Sequence, residues 1–218
     1  MNLEQARSNM VHQQVRTFEV LDYRVLEVLE RIPRDQFVPA NLTQLAYADV
    51  RLPLGHGQVM MRPMEQGRLL DGLRLKESDR VLEVGTGSGY LTACLAALAH
   101  RVTSIEYFED LAEQARERLA QIADLDRIAL STGDILGAKL PSGSFDAVVV
   151  TASVASVPQR FIDLLAPEGR LFIVRGHAPI MEAVVLARTA DGGLTETSLF
   201  DTDLPRLIGA EDAPVFSF

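Results

Sequence analysis

Arg80-Val-Leu-Glu-Val-Gly-Thr-Gly-Ser-Gly-Tyr90 decides the fold. It opens as a short apolar strand, turns through Gly85, Gly87 and Gly89, and runs on into an apolar helix over residues 90–99. Glycines in such a turn let the backbone reverse tightly and approach a ligand, while the new helix offers N–H donors with no partner inside it. Outward from this unit, strands and helices alternate. Strands are predicted over residues 101–105, 128–130, 145–151 and 169–174, and helices over 111–123 and 158–165. Residues 181–188 and 199–204 are candidates to complete the sheet. Phe145-Asp-Ala-Val-Val-Val-Thr151 is almost continuously apolar, as in a strand covered on both faces. The alternation predicts an α/β fold with parallel βαβ units and a doubly wound sheet.

Towards the amino terminus the texture differs. Residues 4–16 and 23–31 carry apolar side chains at helical spacing, Ile32-Pro33-Arg34 interrupts them, and residues 64–75 are helical again. Between them, residues 37–63 hold Pro39, Pro53, Pro63, Gly55 and Gly57 without a sustained period. A stretch this long is functional or conceals short elements. The expected organisation is a helical and loop region (1–78) packing on the core and contributing to the substrate site. A ligand-binding core (79–190) and a carboxyl-terminal strand and tail (191–218) follow.

Composition narrows the function. With 218 residues, 47% hydrophobic and 23% charged, the chain suits one globular domain with an extension. The formal charge of −9 argues against non-specific binding to nucleic acid or anionic lipid, which needs clustered Lys and Arg. The lone Cys94, in an apolar run, reads as a buried thiol and excludes a disulfide framework or cysteine-based zinc site. No apolar stretch approaches the roughly 18–20 residues that span a bilayer, and no basic-then-apolar leader is visible, so a cytoplasmic protein is expected.

A nicotinamide fingerprint would read G-x-G-x-x-G, whereas here the series is G-x-G-x-G with Tyr90 in the sixth place and Glu83 inside the strand. That acid-plus-glycine pattern resembles the Rossmann-like S-adenosylmethionine methyltransferases. It assigns Glu83, Gly85, Thr86, Gly87 and Gly89 to an S-adenosyl-L-methionine site, with Glu83 suited to the methionine amino group, directly or through water. Glu106 ends the second strand, where a carboxylate can accept from both ribose hydroxyls, and Tyr107 joins it. Asp134 follows the third strand, suited to the adenine amino group, with Ile135 packing on the ring. Thr151, at the end of the fourth strand, lines the site or caps the strand. All lie at carboxyl ends of strands, where ligands of such sheets bind.

Over nearly its whole length the chain resembles the protein-L-isoaspartate O-methyltransferase family. The matching text is Met10-Val-His-Gln-Gln-Val-Arg16, Arg31-Ile-Pro-Arg-Asp-Gln-Phe-Val-Pro39, Ala46-Tyr-Ala-Asp49, Leu52-Pro-Leu-Gly-His-Gly-Gln58, residues 81–90 and Thr151-Ala152. The resemblance implies methyl transfer to the carboxylate of isoaspartyl residues in damaged proteins or peptides, leaving S-adenosyl-L-homocysteine. The family's serine that contacts the reacting carboxylate is replaced by Met61, the preceding threonine by Val59, and an amide or small residue by Arg62. Met61 and Arg62 are therefore the candidate catalytic positions. Methionine cannot donate the serine's hydrogen bond and is an adaptable apolar filler elsewhere; Arg62 supplies positive charge beside a substrate channel or is a solvated surface arginine. Thr17-Phe-Glu-Val20 and Gly133-Asp-Ile135 lack family glycines, and the acidic ending Leu199-Phe-Asp-Thr-Asp-Leu-Pro205, with residues 213–218, departs too.

These departures leave two alternatives open: a methyltransferase of this fold acting on another small-molecule or protein acceptor, or a non-catalytic module that holds the cofactor. His56 reads as an exposed loop histidine or one facing the site. His177 has no second histidine at metal-ligand spacing, so no metal site is predicted. No strand–Gly-x-Ser-x-Gly elbow supports hydrolysis. The expected assembly is a monomer or small homo-oligomer with no nucleic-acid or membrane partner.

Overall fold

The computed structural model describes residues 2–137 and 144–211. The divergent ending at 213–218 lies outside the described residues. Helix α1 (Leu3–Asn9) is capped by Asn2, whose side chain accepts from the N–H groups of Glu4 and Gln5. It widens into a π-helical turn, Met10–Val15, that buries Met10, Val11 and Val15. Helix α2 (Tyr23–Arg31) buries Val25, Leu26, Val28 and Leu29 on one face.

The unperiodic stretch conceals a hairpin. After two 3-10 turns, Arg34–Phe37 and Ala40–Leu45, strands β1 (Leu52–Gly55) and β2 (Gln58–Met60) pair antiparallel. His56 and Gly57 connect them at φ of 51° and 71°. Two successive positive φ values match the twist of a two-residue hairpin turn. Helix α3 (Pro63–Leu73) then begins on Pro63, with the Glu65 carboxylate accepting the Arg62 N–H at 2.9 Å.

The remaining elements are β3 (Arg80–Val84), α4 (Tyr90–Leu98), β4 (Arg101–Glu106), α5 (Glu109–Ile122), β5 (Ile128–Thr132), β6 (Phe145–Val154), α6 (Gln159–Asp163), β7 (Leu165–His177), β8 (Ile180–Arg188) and β9 (Leu194–Thr202). One seven-stranded sheet has the order β5-β4-β3-β6-β7-β8-β9. Pairs among β5, β4, β3, β6 and β7 are parallel; β8 and β9 run antiparallel to their neighbours. The switch follows from the connections. Only residues 178–179 separate β7 from β8, far short of the dozen or so that a parallel crossover needs. Strand β7 starts at Leu165, so the helix expected through 165 is confined to α6, and β9 starts five residues before the expected 199.

Alternate residues of the parallel strands face two apolar layers. Val81, Val149 and Phe172 pack with α3, α4 and the amino-terminal helices; Leu82, Val148 and Leu171 pack with Phe161 of α6. The chain runs from β3 outward to β5 and returns to β6 on the other side of β3. That reversal opens a crevice at the carboxyl ends of β3 and β6.

Arg34 fastens the amino-terminal region to this frame. Fully buried, it donates to the carbonyls of Ala46 at 2.8 Å and Met61 at 2.7 Å and to the Gln66 amide oxygen. Its guanidinium also lies 5.1 Å from the Tyr90 ring centroid. Burial lowers its pKa to about 10, which leaves it charged at neutral pH. Replacing Arg34→Met keeps the bulk and strands three buried acceptors. It is expected to lower unfolding free energy by about 3 kcal/mol, read as a reduced denaturant midpoint at unchanged m-value. A midpoint within error of wild type would mean that the tie is idle.

Candidate functional site

The crevice holds a pocket lined by residues from every neighbouring element. Gly85 and Gly87 come from the turn after β3, Glu106, Tyr107 and Phe108 from the end of β4, and Asp134 and Ile135 from beyond β5. Thr151 and Ala152 of β6, Leu54, Gln58 and Val59 of the hairpin, and Arg206 to Ile208 close it. Of the residues proposed from sequence, the structure brings Gly85, Gly87, Glu106, Tyr107, Asp134, Ile135 and Thr151 onto this surface.

The turn is built on backbone freedom. Gly85 has φ 92°, and a Cβ there would lie 2.3 Å from Thr151 Oγ1. Gly89 has φ 86° at the start of α4, where a Cβ would press at 3.3 Å on Ala115 and Leu119 of α5. Thr151, which lies inside β6 rather than at its end, donates through Oγ1 towards the carbonyls of Val84 and Gly85, at 3.0 and 2.8 Å, joining β6 to the end of β3. Glu106, only 5% exposed, accepts the Gly87 N–H on one oxygen at 2.8 Å and those of Tyr107 and Phe108 on the other, at 2.9 and 3.1 Å. Its carboxylate is thereby fixed at the pocket wall, and the oxygen that takes only the Gly87 N–H keeps lone-pair capacity for a hydroxyl. Asp134 Oδ1 accepts from the Leu136 N–H at 2.8 Å, which holds the loop after β5.

Glu83, near the end of β3, and Thr86 and Gly89, within the turn, do not line the pocket. Glu83 is fully buried; Thr92 and Ser104 hydroxyls donate to its Oε2, each at 2.6 Å, and Thr86 Oγ1 meets Ser104 Oγ at 2.6 Å. Its Oε1 has no partner among the described residues. Burial pushes the Glu83 carboxyl up to about 7, against the two hydroxyl bonds that favour the charged form.

The hairpin crosses the pocket mouth. At its tip His56 stacks on Phe108, centroids 4.1 Å apart, and Nε2 meets Asp110 at 2.9 Å, which holds that exposed carboxyl below its usual range. Met61 and Arg62, at the hairpin's foot, are absent from the lining. Met61 is 3% exposed in the core, and Arg62 turns to Glu65 at 2.9 Å and Asp49 at 3.9 Å. Arg62 instead borders a neighbouring depression with Arg51, Asp201 and Asp203. Leu54, Gln58, Phe108, Leu111, Leu207 and Ile208 were not anticipated as lining, because short apolar segments carry no positional signal. The exception in kind is Arg206, a cation among them. Cys94 is buried, with its thiol pushed up to about 12 by burial, as expected of an inert core thiol. No helix among the described residues is long and apolar enough to cross a membrane.

Comparison with known proteins identifies the family. The family model for protein-L-isoaspartate(D-aspartate) O-methyltransferase matches residues 5–201. A protein-L-isoaspartate O-methyltransferase of Methanoculleus marisnigri is 41% identical over 182 residues, 84% of this chain and 82% of that protein. Protein-L-isoaspartate O-methyltransferase 1 of Pelobacter propionicus is 37% identical over 97% of this chain and 99% of its own length. Among solved structures, a Plasmodium falciparum chain described as a protein-L-isoaspartate O-methyltransferase, in complex with S-adenosyl-L-homocysteine, superposes with a TM-score of 0.77. At 23% identity, with 95% of this chain and 98% of that one covered, it shows the shared fold. With the glycine turn intact and both relatives aligned across most of their length, the chain belongs to the protein-L-isoaspartate(D-aspartate) O-methyltransferase family.

Proposed function

We propose that the protein uses S-adenosyl-L-methionine to methylate the side-chain carboxylate of isoaspartyl residues in proteins or peptides. The observation that carries the reading is the convergence of a three-glycine turn and two strand-end carboxylates, Glu106 and Asp134, on one pocket. Within it Glu106 receives the ribose hydroxyls, Asp134 the adenine amino group, and Tyr107 and Ile135 flank the base. Gly85, Gly87 and Thr151 form the floor, where any larger residue at 85 would meet the Thr151 hydroxyl. Glu83 and Thr86 act at one remove, shaping the turn through Ser104 and Thr92.

When bound, the cofactor supplies a methyl group on a sulfonium, and an acceptor carboxylate is already a nucleophile, so no residue has to remove a proton. The chain's contribution is then positioning and exclusion of water. Leu54 and Val59 of the hairpin and Leu207 of the carboxyl-terminal segment provide the apolar walls. Met61 supports the hairpin from behind rather than touching substrate, and Arg62 orients the start of α3 through Glu65. The second reading, a different methyl acceptor, is favoured by one observation: the position where the family's serine stands carries a buried methionine.

Calorimetric titration with S-adenosyl-L-homocysteine, followed by labelled methyl transfer to an isoaspartyl peptide, separates the readings. Binding with formation of a base-labile ester is the expected result; binding with no ester moves the protein to another acceptor. Glu106→Gln should weaken the calorimetric affinity by roughly tenfold or more, since it removes a charged acceptor from the ribose site. Unchanged affinity would remove Glu106 from that role.

Glu83 sets a pH dependence. Its folded pKa, about 7, lies above the ordinary 4.5, so between those values the folded chain keeps a proton that the unfolded chain has lost. Stability contributed by this group therefore falls as pH rises through that window and levels off above it, by on the order of 3 kcal/mol in all. Urea melts of wild type and Glu83→Gln at pH 5 and pH 8 should show the variant gaining relative stability at the higher pH. A difference that does not change with pH would contradict the assignment. Met61→Ser should lower stability by about 3 kcal/mol and leave methyl transfer no faster. A rise in kcat/KM would place residue 61 against the acceptor.

A further inference from the structure

The hairpin β1–β2 is a two-stranded sheet of its own, not paired to the seven-stranded one. An isolated hairpin is marginal in water, so tertiary contacts at its ends must hold it. At the foot, Leu52 and Met60 are buried in the core, and Arg34 donates to the Met61 carbonyl at 2.7 Å. The tip is held differently. His56, at φ 51° in the turn, lays its ring on Phe108, with centroids 4.1 Å apart and planes 9° from parallel. Its Nε2 stands 3.0 and 2.9 Å from the two oxygens of Asp110, in the first turn of α5. These partners belong to the opposite wall of the pocket. Phe108 and Leu111 line it there, whereas Leu54, Gln58 and Val59 line it from the hairpin. Between foot and tip, Leu54 reaches over the glycine turn, so that a Cβ on Gly87 would lie 3.1 Å from its Cδ1. The tip contact thus joins one wall of the pocket to the other.

Resting on the reading that this pocket holds the cofactor, we infer that His56 is a positioning residue for it. His56 clamps the hairpin across the pocket and limits how fast the cofactor and its demethylated product leave. It does not line the pocket itself, so it acts through Phe108 and through the hairpin that it tethers. Exposure sets the strength of the clamp. The His56 and Asp110 side chains keep 41% and 58% of their surface in water, where a polar pair gains little over its hydrated partners. Such a contact breaks readily in every catalytic cycle, unlike the buried Arg34 tie at the foot. When it breaks, the tip is the free end, and Leu54 and Val59 withdraw from the glycine turn together. Only the open form exchanges ligand, so a weaker clamp speeds release and does not slow binding.

The experiment follows release of labelled S-adenosyl-L-homocysteine into an excess of unlabelled ligand, alongside the calorimetric Kd. Wild type is compared with His56→Ala, His56→Phe, Asp110→Asn and the double variant His56→Ala with Asp110→Asn. The ratio of release rate to Kd gives the association rate. His56→Ala is expected to speed release roughly three- to tenfold, with association no slower than wild type. His56→Phe, which keeps the stacked ring, should fall between them, and Asp110→Asn should add nothing once His56 is gone. Release from His56→Ala within about twofold of wild type overturns this inference and leaves the cofactor reading standing. So does a weaker Kd that arises wholly from slower association, which marks a damaged pocket, and so does a fully additive effect of Asp110→Asn. Failure of wild type to bind S-adenosyl-L-homocysteine overturns the cofactor reading and this inference together.

Discussion

A buried guanidinium holds the molecule's two parts together. Among the described residues Arg34 forms no ion pair; its charge is met by two carbonyls, one side-chain amide and the face of Tyr90. Those partners belong to the 3-10 region, the hairpin's foot, α3 and α4 in turn. Removing a charge from water is strongly unfavourable unless each donor finds an acceptor. The arrangement therefore tolerates only one relative placement of these elements. Because the carbonyl it holds is that of Met61, the hairpin that forms one wall of the pocket is positioned by a residue remote from the pocket itself.

On that base the ligand site is assembled from backbone as much as from side chains. Glu106 draws three N–H groups together, Thr151 draws two carbonyls, and Gly85 leaves the gap between them. The buried Glu83 is the strained member. Burial pushes its carboxyl up to about 7 even though one oxygen takes two hydroxyl bonds, and its other oxygen has no partner among the described residues. A sequence acid in a glycine motif invites direct assignment to the ligand; here it supports the turn without lining the pocket.

The sheet was legible because β3 and β6 carry apolar runs and helices alternate with the strands. Residues 80–84 stand out as a strand with no structural information. Acids at the strand ends were equally readable, since their positions follow from topology. The hairpin was not. Its strands have four and three residues, too few to establish a period of two, and its turn is His-Gly rather than the familiar Asn-Gly. Arg206 was hidden for another reason: it follows Asp201 and Asp203, and a composition reading gives the whole segment an acidic character. The ladder between residues 205–207 and Ser153 brings the arginine to the pocket lining, while Asp201 and Asp203 border another depression.

Strand β9 ends the sheet, and its first five residues, Leu194 to Ser198, are exposed on both faces. A free edge is ordinarily a template for another strand. Here the exposed run is mostly Thr195, Glu196, Thr197 and Ser198, and Glu196 is engaged by Arg175 at 2.5 Å. A second chain pairing there would gain backbone hydrogen bonds but bury almost no apolar surface, and it would bring Glu196 against its own copy or a neighbouring polar side chain. The edge thus guards against sheet-to-sheet aggregation through its composition.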